Sequence, residues 1–384
     1  MRRSLPLLAA IALAAAACSG PILANPPVAH PQSTAAPASP PRPPDPQPVV
    51  LPRDDAPHDR LTEWWYDTGH LVDETGAHWG FEFVVFRAER GDFPVSWASH
   101  LALTDEKGRQ FHYAQRAEVG PQVNVGAAGA AGFDFAIRGL DPANPSTFSR
   151  PAWTMRGASG DDRLTATALP GEALGDPSGG FGLDLSLHAT KPPALHNGDG
   201  FINFGPAGGS YYYSRTAMTA TGSLTVGTRT FRVTGSAWFD HQWGDFISVG
   251  GGWDWFALNL GDGTDVTLSM VRSIDGTYPL VYGTLVGANG TTRRLGPGDF
   301  TVTVTEHWTS PQTSVTYPAG WKLAIPSAGI VAELTPTVAQ QELDTWATTG
   351  VVYWEGSQRV RARVHGRVTV GQAYVELTGY APAK

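Results

Sequence analysis

Cysteine is almost missing. Among 384 residues there is one, Cys18. A disulfide, a cysteine metal site and a cysteine nucleophile are therefore excluded from any folded body that follows it. Charge is also sparse, at 16% of residues, and the formal net charge is -8. There is no basic patch, which argues against a nucleic-acid partner. The apolar run Leu5 to Ala17 is too short to cross a bilayer. The chain has no Gly-x-Ser-x-Gly elbow, no His-Glu-x-x-His zinc motif and no phosphate-cradling glycine loop. A hydrolase would have to use Asp240 and His241 with an unidentified serine. Neighbours on a strand point to opposite faces, so that pair works only on an irregular backbone.

Glycine (45) and proline (31) are abundant. Thr, Val, Trp, Tyr and Phe recur in short runs. This is the composition of an all-β protein with many turns. The length allows two domains of ordinary size. Met1-Arg2-Arg3, the apolar run and Ala15-Ala16-Ala17-Cys18 read as a leader with a small-residue cleavage site. The pattern resembles a bacterial lipoprotein signal (residues 1–18) that leaves Cys18 lipidated, although Ala15 replaces the usual leucine. The alternative is an ordinary signal peptide cut after Ala24. Either way the expectation is an exported protein facing the periplasm. Ser19 after the cysteine points, by resemblance to the usual sorting pattern, to the outer membrane. Residues 19–52 are rich in Pro and Ala and read as an extended tether.

From Arg53 onward the chain reads as short strands and turns. Two hairpins open it, Glu63 to Phe86 and Ser99 to Arg116, and further strands follow to 237. In the strand from His78, residues Trp79, Phe81, Phe83 and Val85 share one face, and His78, Glu82, Val84 and Phe86 the other. Trp253 to Arg272 makes another hairpin, and strands continue to 380. The only helix candidate is Val338 to Trp346. Trp65-Tyr66, Leu71 and Val85-Phe86-Arg87 correspond to Trp255-Phe256, Leu260 and Met270-Val271-Arg272. Such a repeat predicts two β-barrels in tandem, 53–245 and 246–384. Barrels of this size can hold one small ligand.

Ionisable and aromatic groups are densest between Gly235 and Phe256. Trp238, Asp240, His241 and Trp243 fall within six residues, and Trp253, Asp254 and Trp255 follow. This stretch reads as the seam between the halves and as the candidate site. Each residue also has a plain role. Tryptophans fill barrel cores, Asp240 could fix an inter-domain turn through backbone N–H groups, and His241 could be structural. Glu355 and Glu376 need partners if buried, and Arg272 and Arg87 could supply them. Glu63 reads either way.

Several separated signatures stand in order: Glu63-Trp64-Trp65-Tyr66, His100 to Asp105, Tyr211-Tyr212-Tyr213-Ser214, Gly235 to Gly244, Trp253 to Phe256, Tyr353-Trp354-Glu355-Gly356 and Tyr374 to Tyr380. On these the chain resembles the AttH-like family, which includes the carotenoid 1,2-hydratases (hydroxyneurosporene synthases). The resemblance implies two lipocalin-like domains in one chain, and some exported members carry a loose secreted-hydrolase label. It also implies addition of water to an isoprenoid double bond, with no metal or organic cofactor. That reaction needs a carboxylic acid kept neutral in an apolar pocket, aromatic faces around a cation, and a base for water. Asp240 as acid or base, His241 as its partner, and Trp64, Trp65, Tyr66, Trp238, Trp243, Trp253, Trp255, Arg272, Tyr353 and Glu355 as ligand contacts are the candidates. There is one departure. The hydratase branch places an acid in the strand Asp265 to Arg272, where this chain has Ser269 and Met270. The second reading is therefore a non-catalytic carrier of a hydrophobic isoprenoid or lipid, anchored to a membrane through Cys18.

Overall fold

A computed structural model describes residues 44–91, 93–120, 132–139, 150–172, 179–246 and 251–381. The leader, Cys18 and the tether up to residue 43 lie outside the described residues. The described residues hold twenty-two strands: β1 Thr62–Asp73, β2 His78–Ala88, β3 Ser96–Asp105, β4 Gln110–Val119, β5 Phe133–Ile137, β6 Trp153–Ala158, β7 Asp161–Ala168, β8 Phe181–Ala189, β9 Ala194–Leu195, β10 Phe201–Asn203, β11 Gly209–Val226, β12 Arg229–Gly244, β13 Gly252–Leu260, β14 Asp265–Arg272, β15 Leu280–Val286, β16 Thr292–Leu295, β17 Thr301–Thr309, β18 Thr316–Ile325, β19 Ile330–Pro336, β20 Glu342–Asp344, β21 Val352–Val364 and β22 Arg367–Leu377.

The strands form two antiparallel sheets. The first runs β4-β3-β2-β1-β12-β11-β8-β7-β6-β5, with β9 and β10 added to β11. Its end strands β4 and β5 approach each other, so the sheet rolls into a nearly closed barrel. The second runs β16-β15-β14-β13-β22-β21-β19-β18-β17, with β20 on β21, and curls into a half-barrel. The protein is all-β, two barrels in tandem.

The helix candidate Val338 to Trp346 does not form. Its centre is β20, paired with β21, and the Asp344 carboxylate accepts the Trp346 N–H, which turns the chain instead. The end of the expected tether also differs. Residues 44–52 lie on the barrel, where Asp45 accepts hydrogen bonds from Arg60 and from Tyr211.

Side chains alternate across each strand. On β1, Trp65 and Leu71 enter the first core, with Phe81, Phe83, Trp97, Phe135 and Trp153. Phe256, Leu258, Leu268, Trp321, Trp354 and Val375 fill the second. The first barrel is stopped by the segment before β1. Asp55 accepts from the Tyr213 hydroxyl and from Arg215, and its carbonyl accepts from Trp65 Nε1. The repeat seen in the sequence exists as two hairpins, β1–β2 and β13–β14, but one residue out of step. Trp65 is in a core, whereas Trp255 faces outward and its neighbour Phe256 takes the core place. A one-residue slip along a strand exchanges its faces.

The outward faces of the two sheets meet each other. Tyr66, Val84, Trp238, Trp255, Ala257 and Tyr374 form a buried cluster there. Hydrogen bonds cross the join: Tyr66 Oη to Glu355 (2.7 Å), Thr104 to Gln341 (2.9 Å) and Asn259 to the Thr216 carbonyl (2.7 Å). Lys191 pairs with Asp265 at 2.6 Å. Gly80 sets the closeness of approach, because a Cβ there would stand 2.5 Å from Tyr374 Oη and 2.9 Å from Ser357 Cβ. Gly80→Val should therefore push the barrels apart and lower stability by about 1–3 kcal/mol. A urea midpoint equal to that of the unaltered protein would show that the join is looser than this.

Candidate functional site

Where the outward faces do not quite touch, they leave a cavity of ≈ 490 Å³. That lies in the range of about 300–1,000 Å³ that holds small-molecule ligands. The first barrel contributes Trp64, Tyr66, Glu82, Phe86, His100, Tyr212 and Asp240, and the second contributes Trp253, Trp255, Ser269, Tyr282, Tyr353 and Glu376. Alternation selects these residues. Trp64 and Tyr66 are two apart on β1, as Trp253 and Trp255 are on β13. Trp64 and Trp253 stack across the join with ring centroids 6.4 Å apart.

Three carboxyl groups reach this aromatic space. Asp240, on β12, accepts from Tyr212 Oη at 2.5 Å, from Trp238 Nε1 at 2.7 Å and from the Ser214 hydroxyl. Burial pushes its pKa up to about 6, against those three donors. Glu376, on β22, accepts from Trp253 Nε1 at 2.8 Å. Burial raises it to about 7, and the Asp240 charge adds to that. Glu82, on β2, is pushed up to about 8 by burial, against a hydrogen bond from Tyr353 and with help from the Glu376 charge. At neutral pH these shifts make Asp240 the carboxylate and Glu82 the acid. A fourth group, Glu355, stands behind Tyr66 and is held well above the ordinary carboxyl range by burial and by Glu82 and Glu376.

The hydrogen bonds of Glu82 fit the neutral form. Its Oε1 accepts from Tyr353 Oη at 2.9 Å. Its Oε2 is buried with no partner among the described residues, so an acid proton there has no protein group to claim it. Tyr353 Oη lies 2.8 Å from His100 Nδ1, and His100 Nε2 lies 3.0 Å from Thr348 Oγ1. Burial lowers His100 to about 3, which keeps the ring neutral. With Tyr353 donating to Glu82, its Oη accepts from His100 Nδ1–H.

The AttH-like family model matches residues 42–380. The chain belongs to the AttH-like family. Among solved structures it resembles an AttH from Nitrosomonas europaea, with 28% identity, 87% of this chain and 98% of that one covered, and a TM-score of 0.72. It also resembles kievitone hydratase from Nectria haematococca, with 18% identity, 87% and 94% covered and a TM-score of 0.65. CghA with Sch210972 is more distant, with 14% identity, 83% and 89% covered and a TM-score of 0.51. These last two likenesses concern the fold. No curated protein matches the chain. The AttH-like fold here is the tandem lipocalin-like pair that the sequence predicts.

In this AttH-like chain, Trp64, Tyr66, Trp253, Trp255, Tyr353, Asp240 and Arg272 all border the cavity. Trp238 and Glu355 stand behind it and hold Asp240 and Tyr66. Trp65, Trp243 and His241 do not reach it. Residues 235–244 all belong to the regular strand β12. Asp240 therefore faces the join, in mid-strand, bonded to side chains and not to a turn. His241 turns the other way, and its Nε2 lies 2.9 Å from Glu63 Oε1. It is not the partner of Asp240. Glu355 and Glu376 have no arginine either. Arg272 donates to the Thr378 carbonyl and lies over the Tyr380 ring, and Arg87 serves Glu89 and the His58 carbonyl. Met270 packs on the second core, so of the two residues at the departure from the hydratase branch only Ser269 faces the cavity.

His58, Glu63 and His241 offer ligand atoms within 4.8 Å of one another, the one such metal-competent group among the described residues. They are already bonded together. Glu63 Oε1 takes His58 Nδ1 at 2.7 Å and His241 Nε2 at 2.9 Å, and Oε2 takes the His58 backbone N–H at 2.9 Å. Burial works against charging His58, but Glu63 and Asp54 more than offset it and the pKa rises, while Glu63 is lowered. The arrangement is an ion-paired clasp that fastens the segment before β1 onto the barrel.

Glu82, His100 and Tyr212 were not among the candidate site residues, although His100 and Tyr212 stand in two of the family signatures. A signal for Glu82 was present, since it is a lone carboxyl in a strand apolar on both faces. Trp243 is a correction in the other direction. It is stacked between His58, 4.2 Å away, and Tyr211, 5.2 Å away, inside the first barrel. Trp243→Ala should open a void and cost about 3–5 kcal/mol, with ligand affinity normal in the fraction that still folds. A small drop in urea midpoint together with lost affinity would put Trp243 back at the ligand.

Proposed function

We propose that this AttH-like protein adds water to a carbon–carbon double bond of a hydrophobic, isoprenoid-type ligand whose end is held between its barrels. The single observation that carries this is that Glu82, with one buried oxygen lacking a hydrogen-bond partner, and Asp240, held by three donors, line one aromatic cavity. Glu82 Oε2–H gives its proton to one alkene carbon, and the π electrons form the new C–H bond. The tertiary cation left on the other carbon is stabilised by the indole faces of Trp64, Trp253 and Trp255. Water attacks that carbon and loses a proton to Asp240. Glu82 ends ionised and Asp240 protonated, and exchange of one proton with water resets both. The likeness to kievitone hydratase, by name a hydratase, supports the reading. Ser269, standing where the hydratase branch carries an acid, favours the alternative of a carrier.

The test is incubation with lycopene or neurosporene, with products read by mass. A gain of one water that depends on both groups supports the enzyme. Glu82→Gln and Asp240→Asn should each lower the rate by about 10²–10⁴-fold. The pH profile should be a bell. Its acid limb lies near 6, where Asp240 takes up a proton, and its alkaline limb near 8, where Glu82 loses one. Glu82 has a folded pKa above its unfolded value, so it lowers stability progressively as pH rises from the ordinary carboxyl range to about 8. Glu82→Gln should therefore leave the alkaline urea midpoint equal or higher. A ligand that copurifies and returns unchanged in mass from every condition would make the protein a carrier.

We also propose export as a lipoprotein with Cys18 lipidated, facing the periplasm from the outer membrane. Cys18→Ser should release the chain in soluble form. A variant as membrane-bound as the unaltered protein, with its leader removed, would end the anchor proposal.

A further inference from the structure

Asp240 is the base of the proposed hydration, so it must stay ionised inside the join. No cation pairs with it among the described residues. The ionisable groups that feel its charge are all acids or phenols: Tyr212 on β11, Tyr282 on β15, Glu355 on β21, Glu376 on β22 and Asp67 on β1. Its charge therefore rests on three neutral donors, Trp238 Nε1, Tyr212 Oη and Ser214 Oγ.

An indole N–H can only donate, whereas a hydroxyl can donate or accept. What stands behind each hydroxyl decides which it does. Trp255 Nε1 donates to Tyr212 Oη at 3.0 Å, which leaves the Tyr212 proton for Asp240. Behind Ser214 stands His196, whose Nε2 lies 2.7 Å from Ser214 Oγ. Its Nδ1 lies 2.9 Å from Thr284 Oγ1, on β15 across the join. Thr284, His196, Ser214 and Asp240 are all buried.

Ser214 has one hydroxyl proton. While Asp240 takes it, the contact with His196 Nε2 must be made by a ring N–H. Burial pushes the His196 pKa down to about 3, so the ring is neutral and Nδ1 is left to accept from Thr284. Thr284, His196 and Ser214 then donate in one direction, each to the next, and the last proton points at Asp240. The opposite tautomer would offer Ser214 a lone pair, draw its proton away and cost Asp240 a donor.

The backbone holds the ring in this place. His196 opens the single turn His196–Gly198, in which Asn197 and Gly198 are left-handed, with φ of 57° and 93°. The Gly200 N–H closes on the His196 carbonyl at 2.7 Å. The ring lies against Tyr212 with centroids 3.8 Å apart. Neither His196 nor Ser214 lines the cavity. A hydrolytic triad puts the imidazole between acid and serine. Here the serine is in the middle and buried, so it is no nucleophile.

We propose that His196 is a positioning residue for the hydration: as the Nε2–H tautomer it turns the Ser214 hydroxyl onto Asp240 and so preserves the base. It acts through Ser214 and does not meet the ligand. Its use in catalysis rests on the hydration reading, whereas the direction of the hydrogen bonds does not.

The variants His196→Phe and His196→Gln test this. Phenylalanine keeps a ring against Tyr212 and removes the N–H, and glutamine puts an amide N–H in place of Nε2–H. The titration of Asp240 is read from its infrared carboxyl band, assigned by the loss of that band in Asp240→Asn. His196→Phe should raise the midpoint by about one pH unit, and His196→Gln should leave it within about 0.3 unit. In water addition to neurosporene, the same shift should make His196→Phe about fivefold slower at about pH 6 and nearly equal to the unaltered protein at about pH 8. A packing defect would lower the rate by one factor at both. In Ser214→Ala, where the chain of donors is already cut, adding His196→Phe should move the midpoint no further. Nitrogen NMR of the unaltered, histidine-labelled protein reads the tautomer without any change to the fold, and His196 should carry its proton on Nε2 at about pH 8. An unmoved midpoint in His196→Phe, an equal loss of rate at both pH values, a further shift on top of Ser214→Ala, or a proton on Nδ1 overturns the proposal. A midpoint that moves as expected, in a protein that adds water to neither neurosporene nor lycopene, counts against the hydration reading and leaves the control of Asp240 by His196 standing.

Discussion

A carboxyl group taken out of water must be given donors or must keep its proton. The join between the two barrels is built around that constraint. Asp240 receives three donors and is the group best able to stay charged. Glu82 receives one, from Tyr353, with a second oxygen unmatched. Two carboxyls in one cavity are thus driven to opposite protonation states by what their neighbours donate. Water could not impose that difference, because it would satisfy both equally. The aromatic walls matter for the same reason: they exclude the solvent that would level the two groups.

The supporting residues act at one remove from the ligand. Tyr353 is held by His100, whose ring burial keeps neutral. Tyr212 receives Trp255 Nε1 at 3.0 Å while donating to Asp240. Hydroxyl groups from one barrel therefore meet ring nitrogens and carboxyls from the other. Each half is an incomplete site, and the join supplies the missing partners.

The fold was legible because its signals are local. Turn residues, period-two alternation and a repeated hairpin are all written within a few residues of one another. Much of the cavity was legible too, since Trp64, Tyr66, Trp253, Trp255 and Tyr353 lie in dense aromatic motifs. What failed was pairing. Asp240 and His241 are adjacent in sequence, and adjacency on a strand separates them by the thickness of the sheet. Glu82 and Tyr353 are separated by 271 positions and meet across the join, a contact that no spacing announces. Trp65 and Trp243 belong to the same motifs as the cavity tryptophans but fall on the inward register, and only knowledge of which face is inward sorts them. Arg272 and Arg87 were assigned to Glu355 and Glu376 on charge alone. The structure instead leaves those acids to burial and to neutral donors.

The stopped first barrel has an evolutionary consequence. With its lumen closed by Asp55, Tyr213 and Arg215, ligand recognition falls to side chains on the outward register of strands whose inward register makes the two cores. The cavity positions that lie on strands are then flanked along the same strand by inward positions that need not change with them. A lineage can recast the walls between the barrels residue by residue while the packing that folds each barrel is untouched. Binding range and foldability are inherited on opposite sides of the same strands, which leaves a tandem-barrel scaffold free to diversify its chemistry.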